Sequence, residues 1–216
     1  MGDTDRDLHN FWESNFQQKQ QMWGLRPASA AVMAAAFFKE KKAKSILMPG
    51  FGYGRNAIPF LNNGMQVTGI EISATAISLA KKHFANRLPK IFLGSTAAMP
   101  YEQKCYDGIF CYSLIHLLDP PARVKLIQDC FNQLSPGGYM IFVSVSRHFP
   151  SFGKGRQLAE NWYETMPGVQ LYFYDHLSIE NEFGGCGLVS YEEITESDKD
   201  GSPKQQAEFW YITCKK

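Results

Sequence analysis

The sequence predicts an α/β protein: a doubly wound, mostly parallel sheet of seven strands that finishes in an antiparallel hairpin. Three observations lead there. Apolar strand-like runs alternate with helix-like segments between residues 45 and 145, the pattern of a parallel sheet covered by helices on both sides. The first run is followed by Gly50, Gly52 and Gly54 at alternate positions, a turn where backbone meets a ligand with no Cβ in the way. The last two runs, 188–195 and 207–214, are joined through Asp198-Lys199-Asp200-Gly201-Ser202-Pro203, too short a connection for a crossover helix, so the pair is antiparallel.

The elements follow in order. Residues 45–49 and 65–71 are the first two strands, with a helix from about Arg55 to Gly64, where glycine suits the position after a helix end. Pro59 lies within that helix and costs least near its first turn. Ser73 is an N-cap for a helix that carries Ala76, Ile77, Ala80 and Phe84 at helical spacing. Short strands are expected at 91–94 and 106–112. Pro121 opens a helix whose apolar face is expected to be Val124, Ile127, Phe131 and Leu134. Ser135-Pro136-Gly137-Gly138 breaks it, and the nearly continuous apolar run 139–145 reads as a strand covered on both faces. Residues 147–177 mix glycine, proline and many aromatics with no clean period and read as an insertion folded over the site. The expected organisation is one domain, 1–216: a helical cap over 1–42, a cofactor-binding core over 43–146, the insertion over 147–177, and a last helix with the terminal hairpin over 178–216.

Bulk properties narrow the function. The net charge is +1 and no dense basic stretch occurs, so nucleic acid is not an expected partner. The Lys39-Glu40-Lys41-Lys42 run reads as a solvated helix end. No apolar stretch reaches the ~18 residues of a membrane span, and the acidic start (Asp3, Asp5, Asp7) is unlike a secretory signal. Five cysteines without a CxxC pair read as reduced thiols of a cytoplasmic protein, and no zinc-ligand spacing occurs, so no metal is expected.

The chemistry sits on one sheet edge. In doubly wound sheets ligands bind outside the carboxyl ends of the strands. Gly50–Gly54, Glu71, Ser95–Ala98 and Tyr112–Ile115 all fall there. A carboxylate at the end of the second strand, about twenty residues after the glycine turn, can accept hydrogen bonds from both hydroxyls of a ribose. Strand, glycine turn, helix, strand and acid together make a nucleoside-cofactor site.

These residues resemble the class I S-adenosylmethionine-dependent methyltransferases. Ile46 to Gly54 is similar to the family's strand followed by G-x-G-x-G, and Glu71 to its ribose-holding acid. Gly94-Ser95-Thr96-Ala97-Ala98-Met99-Pro100 resembles the segment beside the adenine. Tyr106-Asp107-Gly108-Ile109 through His116-Leu117-Leu118 resembles the fourth-strand motif, and Leu134-Ser135-Pro136-Gly137-Gly138 the L-x-P-G-G before strand five. Pro49-Gly50-x-Gly resembles the thiol and thiopurine branch and Gly54-Arg55-Asn56 the tellurite-resistance branch. The resemblance implies S-adenosyl-L-methionine as cofactor, a small-molecule acceptor, and cofactor contacts from Gly50, Phe51, Gly52, Tyr53, Gly54, Asn56, Glu71, Ile72, Ser95, Thr96, Ala97, Ala98, Tyr112 and Ser113. Two positions depart from the pattern: Met48 and Ser95 stand where the family usually has acids.

Methyl transfer from a sulfonium needs alignment first and a base only for some acceptors. His116 is the candidate catalytic base, just past strand four, and the competing reading is a structural histidine bonded under the loop. His148, past strand five, carries the same two readings and is assigned to the substrate pocket. Tyr112 either packs on the cofactor or belongs to the core. Trp12 and Trp23 either shape the acceptor pocket or staple the cap to the sheet. Two other functions share the motifs: a cofactor-binding protein without turnover, and a nicotinamide-dependent oxidoreductase. The latter requires G-x-G-x-x-G, whereas the third glycine arrives one residue early, before Arg55.

Overall fold

The computed structural model describes residues 3–196 and 207–216. Its main sheet is built from β1 (Ser45–Pro49), β2 (Gln66–Glu71), β3 (Lys90–Leu93), β4 (Tyr106–Tyr112), β5 (Leu134–Val145), β9 (Leu188–Glu196) and β10 (Ala207–Lys215). Their spatial order is β3-β2-β1-β4-β5-β10-β9. The first five run parallel, and β10 lies antiparallel between β5 and β9. The winding reverses between β1 and β4, so a crevice opens outside their carboxyl ends. The connection expected to turn the hairpin, Asp198 to Pro203, lies outside the described residues.

Local chemistry explains the helices. α1 (Asp3–Lys19) and α2 (Ser29–Glu40) precede β1. After β1 the chain makes a 3-10 turn over Arg55–Ala57 before α3 (Ile58–Asn62). Pro59 sits in the first turn of α3, where its missing N–H costs nothing, and Gly64 has φ +79 just past its end. α4 (Ala74–Phe84) starts at Ser73, whose hydroxyl accepts from Ala76 N. α5 (Pro120–Gln133) opens on two prolines capped by Asp119. α6 (His176–Phe183) begins with a capping box formed by Asp175 and Ser178.

Three expectations change. The buried face of α5 is Arg123, Leu126, Ile127 and Cys130, and Val124 is 49% exposed. The face is rotated because Arg123 points inward to an ion pair with Glu182 of α6. The segment 147–177 is not irregular. It holds β6 (Arg156–Ala159), β7 (Trp162–Met166) and β8 (Val169–Tyr172), a three-stranded antiparallel sheet. Residues 135–138, expected as a break, already belong to β5, whose pairing with β4 shifts register between Tyr106 and Gly108.

Two core layers cover the main sheet. One gathers Phe38, Ile46, Phe60, Phe110 and Ile141, and the other Leu47, Ile109, Ile127, Phe142 and Phe183. Among the described residues no helix is long and apolar enough to cross a membrane.

Candidate functional site

At the carboxyl edge of the sheet lies a cavity of about 400 Å³. Its floor is the glycine turn. Gly50, Gly52 and Gly54 have φ +70, +58 and +82, a region that side chains rarely tolerate. The amides of Gly50 and Phe51 both donate to the Ile70 carbonyl, which ties the turn to β2. A Cβ on Gly52 would meet no atom within 4 Å and would stand in the cavity instead.

Glu71 faces this floor. Its carboxylate is buried and accepts from Gly52 N at 2.6 Å and Ser73 N at 2.9 Å. Burial pushes its pKa up, the amides of Ser73, Gly52 and Ile72 pull it back, and nearby Glu13 adds a further upward push. Each carboxylate oxygen uses one lone pair on an amide and keeps another for a ligand hydroxyl.

α1 roofs the site and is latched to it. Glu13 accepts from the Ser73 hydroxyl at 2.6 Å and from both the amide and hydroxyl of Thr75. Desolvation alone would raise the Glu13 pKa, yet these bonds outweigh it and bring it down to about 2. The carboxylate also sits at the N-terminus of α4, where the helix dipole favours negative charge. Leu8, Trp12 and Phe16 of α1 line the cavity, and Trp23 stacks on Tyr53 at 6.2 Å between centroids. Both tryptophans also pack against a cluster containing Ala76 and Leu79 of α4, so one surface does the lining and the stapling.

The polar atoms of the turn hold this cap. Tyr53 OH accepts from Trp23 N and donates to Gly24 O, Arg55 donates to Arg26 O, and Asn56 Oδ1 accepts from Ala28 N. Tyr53 and Asn56 line the cavity, and these atoms fasten the N-terminal segment.

The remaining walls come from elsewhere. Ile72, Ser95 and Thr96 line the β2–β3 end. Ser95 accepts from Ala97 N, a local turn bond, while Ala97 and Ala98, in the 3-10 turn Thr96–Ala98, are not among the residues lining the cavity. Met48, at the position the resemblance gives to an acid, is buried in the core. On the β4 side Ser113 adopts φ +53, a strained conformation for serine, while its amide donates to Val143 O. Tyr112 lines the cavity and stacks on Phe209; burial raises its pKa. Beyond them Leu114, Leu117, Leu118, Val145, Phe149, Val169, Leu171 and Phe209 complete the wall.

His116 is on that wall and 5% exposed. Its Nδ1 lies 3.4 Å from Val145 N, which donates to it, and 3.3 Å from Ser144 Oγ. An amide can only donate, so Nδ1 holds the lone pair and the neutral ring carries its proton on Nε2. Burial brings the His116 pKa down to about 3, so the ring is neutral at physiological pH. The structure thus places His116 as a histidine bonded to β5 that also lines the cavity. His148 does not reach it. Its side chain is 72% exposed and Nδ1 contacts Glu193 of β9 at 2.8 Å, because the Ser146 hydroxyl accepting from His148 N turns the chain outward at that point.

A buried group that the sequence did not single out supports the His116 wall. Arg123 grips Glu182 through Nε and NH2 and donates through NH1 to the Leu118 carbonyl. Its guanidinium lies 3.8 Å from the Tyr172 ring centroid, and Tyr174 OH donates to the same Glu182. One ion pair thus joins α5, α6, β8 and the loop after β4.

Known proteins agree with this layout. Residues 47–142 match the methyltransferase domain family. Over 209 residues the chain is 22% identical to a tRNA N(3)-methylcytidine methyltransferase of Drosophila melanogaster, covering 88% of this chain and 64% of that protein. It is 27% identical over 215 residues to a ubiquinone biosynthesis O-methyltransferase of Vibrio cholerae, covering 91% of this chain and 84% of that one. The chain spans 52–64% of the length of the tRNA methyltransferases it matches. Among solved structures, the 1,6-didemethyltoxoflavin N1-methyltransferase of Burkholderia thailandensis superposes with a TM-score of 0.73 at 16% identity, over 98% of this chain and 88% of that one; this likeness is one of fold. Residues 47–142 thus match a methyltransferase domain, and the strand order and the acid at the end of β2 are similar to those of the class I S-adenosylmethionine-dependent methyltransferases.

Proposed function

We propose that this chain transfers a methyl group from S-adenosylmethionine to a small-molecule acceptor held in the same cavity. The observation that carries this reading is the enclosure. A glycine-and-carboxylate floor and an apolar wall face each other beneath a roof formed by α1 and the small sheet, whose Gly168 approaches Phe11. A macromolecular acceptor would have to present its reacting group beneath that roof, as an extruded base does.

The residues fit the cofactor. Glu71 would take the ribose hydroxyls, the Gly50–Gly54 turn the backbone beside them, Ser95 and Thr96 the base, and Tyr112 and Ser113 the amino-acid end. S-adenosylmethionine supplies a methyl group already activated as a sulfonium. What remains for the chain is alignment, worth ~7–11 kcal/mol when reactants are well oriented, and the exclusion of water. The aromatic roof of Trp12, Phe16 and Trp23 serves the second task.

Calorimetry tests the reading directly. S-adenosylhomocysteine is expected to bind at micromolar affinity or better, NADH not at all, and Glu71→Ala to weaken the former at least about tenfold through lost charge-assisted bonds. Turnover of thiols, phenols or amines to S-adenosylhomocysteine supports the small-molecule acceptor. Turnover of a tRNA transcript alone would overturn it, and binding without any turnover would favour a silent cofactor-binding protein.

A further inference from the structure

The lining residues divide by origin. Those after β1, β2 and β3 carry Arg55, Asn56, Glu71, Ser95 and Thr96. Those beyond Ser113, from the loop after β4, the end of β5, the small sheet and β10, are apolar except for His116. That half of the cavity contains no carboxylate or amine among its described lining residues.

His116 cannot act there as a base in its resting form. Its lone pair is on Nδ1, aimed at the Val145 amide and Ser144 of β5, so its proton is on Nε2, and the residue lines the cavity. The titratable groups elsewhere on the wall are Glu71 on β2, Tyr53 and Arg55 in the turn, and Tyr112 on β4. On the methyltransferase reading the free lone pairs of Glu71 are taken by the ribose hydroxyls, Tyr53 is engaged at both its hydrogen and its lone pair, and burial holds Tyr112 protonated. An acceptor that must lose a proton therefore loses it to water before entering.

We propose that His116 donates a hydrogen bond from Nε2 to the methyl acceptor, and that the acceptor is an apolar, aromatic-bodied small molecule presenting its nucleophilic atom as an anion, a phenolate or thiolate. This rests on the methyltransferase reading above. The charges balance. The acceptor's lone pair forms the bond to the methyl carbon, the carbon–sulfur pair returns to sulfur, and no proton moves in the step. A cation and an anion become two neutral products, so no net charge is left against the apolar wall. A neutral nitrogen acceptor would instead leave a cation there. Burial keeps the imidazole neutral and its pKa near 3, which preserves the donor across the physiological range.

Two measurements test this. Two-bond proton–nitrogen correlation spectra of the ligand-free protein should show the His116 proton on Nε2, without titration between about pH 5 and 8. A proton on Nδ1, or titration in that range, overturns the proposal. Second, 4-nitrophenol is added to protein loaded with sinefungin, an unreactive amine analogue of the cofactor. Its absorbance should show bound phenolate, with its apparent pKa lowered enough to shift ionisation about tenfold. His116→Leu should abolish the shift. His116→Gln, whose amide can both donate to the ligand and accept from Val145 N, should restore it, and 4-nitrotoluene should bind all three alike. Bound neutral phenol, an unchanged shift in His116→Leu, or no binding at millimolar probe each overturns the acceptor class. Failure of sinefungin itself to bind would sink the methyltransferase reading instead and leave the tautomer result standing.

Discussion

The wall of the cavity built after β1, β2 and β3 and the wall built after β4, β5 and the small sheet make opposite demands on a ligand. The first is polar, tightly turned and assembled from residues 50–96, with Glu71 bonded to the glycine turn only nineteen residues back. The second is apolar and gathers residues 114–209. On the proposed reading, one takes a ligand of fixed chemistry, a ribose that always presents two hydroxyls, and the other sets shape and polarity and leaves recognition to a single imidazole. The difference would then teach where each kind of specificity is stored: backbone geometry and one acid for the cofactor, side-chain packing for the acceptor.

The comparison can be broken from either side. The largest effect is expected at Arg123, inside the second wall. Arg123→Met strands the partly buried Glu182 carboxylate and frees the Leu118 carbonyl, which should cost about 3–4 kcal/mol of stability. Replacing both partners with apolar residues should recover much of that loss. If the two walls are independent, the folded fraction of Arg123→Met keeps its affinity for S-adenosylhomocysteine; calorimetry alongside thermal melts reads both. Next comes Gly54→Ala in the first wall. A Cβ there would lie 2.5 Å from Phe84 and 2.6 Å from Phe51, at φ +82. About 2–4 kcal/mol of strain and overpacking is expected, and here cofactor affinity should fall with the melting temperature.

The smallest effect is expected at Glu13→Gln, which loosens the roof shared by both walls. A cap of this kind is worth about 1 kcal/mol, so S-adenosylhomocysteine should bind a few-fold more weakly. The same latch predicts a pH dependence. The folded-state pKa of Glu13 is lowered to about 2, so its stabilisation is present above the ordinary glutamate range near 4.3. It is lost as pH falls from there through about 2. Tryptophan emission from Trp12 and Trp23 should report that release in wild type and lose this component in Glu13→Gln.

Legibility followed the same division. β1, β2, β4, the Ser73 cap and the glycine floor could be read because each is set by neighbours in sequence: short apolar runs, a cap three positions from its amide, positive φ at glycine. Val169, Leu171 and Phe209 gave no such sign, since their place on the wall depends on where the small sheet and β10 are laid. The face of α5 was misread for a related reason. Periodicity placed Val124 inside, while an arginine with a distant glutamate partner turned the helix. His148 shared the sheet edge with His116, but the hydroxyl of Ser146, two residues away, turned its backbone aside and Glu193 took its ring.

β10 makes the two walls unequal in how they close as well as in chemistry. It slots between β5 and β9, and its Phe209 reaches the cavity from nearly a hundred residues beyond Tyr112, on which it stacks. The first wall closes through contacts such as Gly52 with Glu71, nineteen residues apart, whereas the second is complete only when Phe209 is laid beside Tyr112. Contacts of such different sequence separation carry different loop-closure costs, so the second wall is the one whose formation depends most on the last strands of the chain.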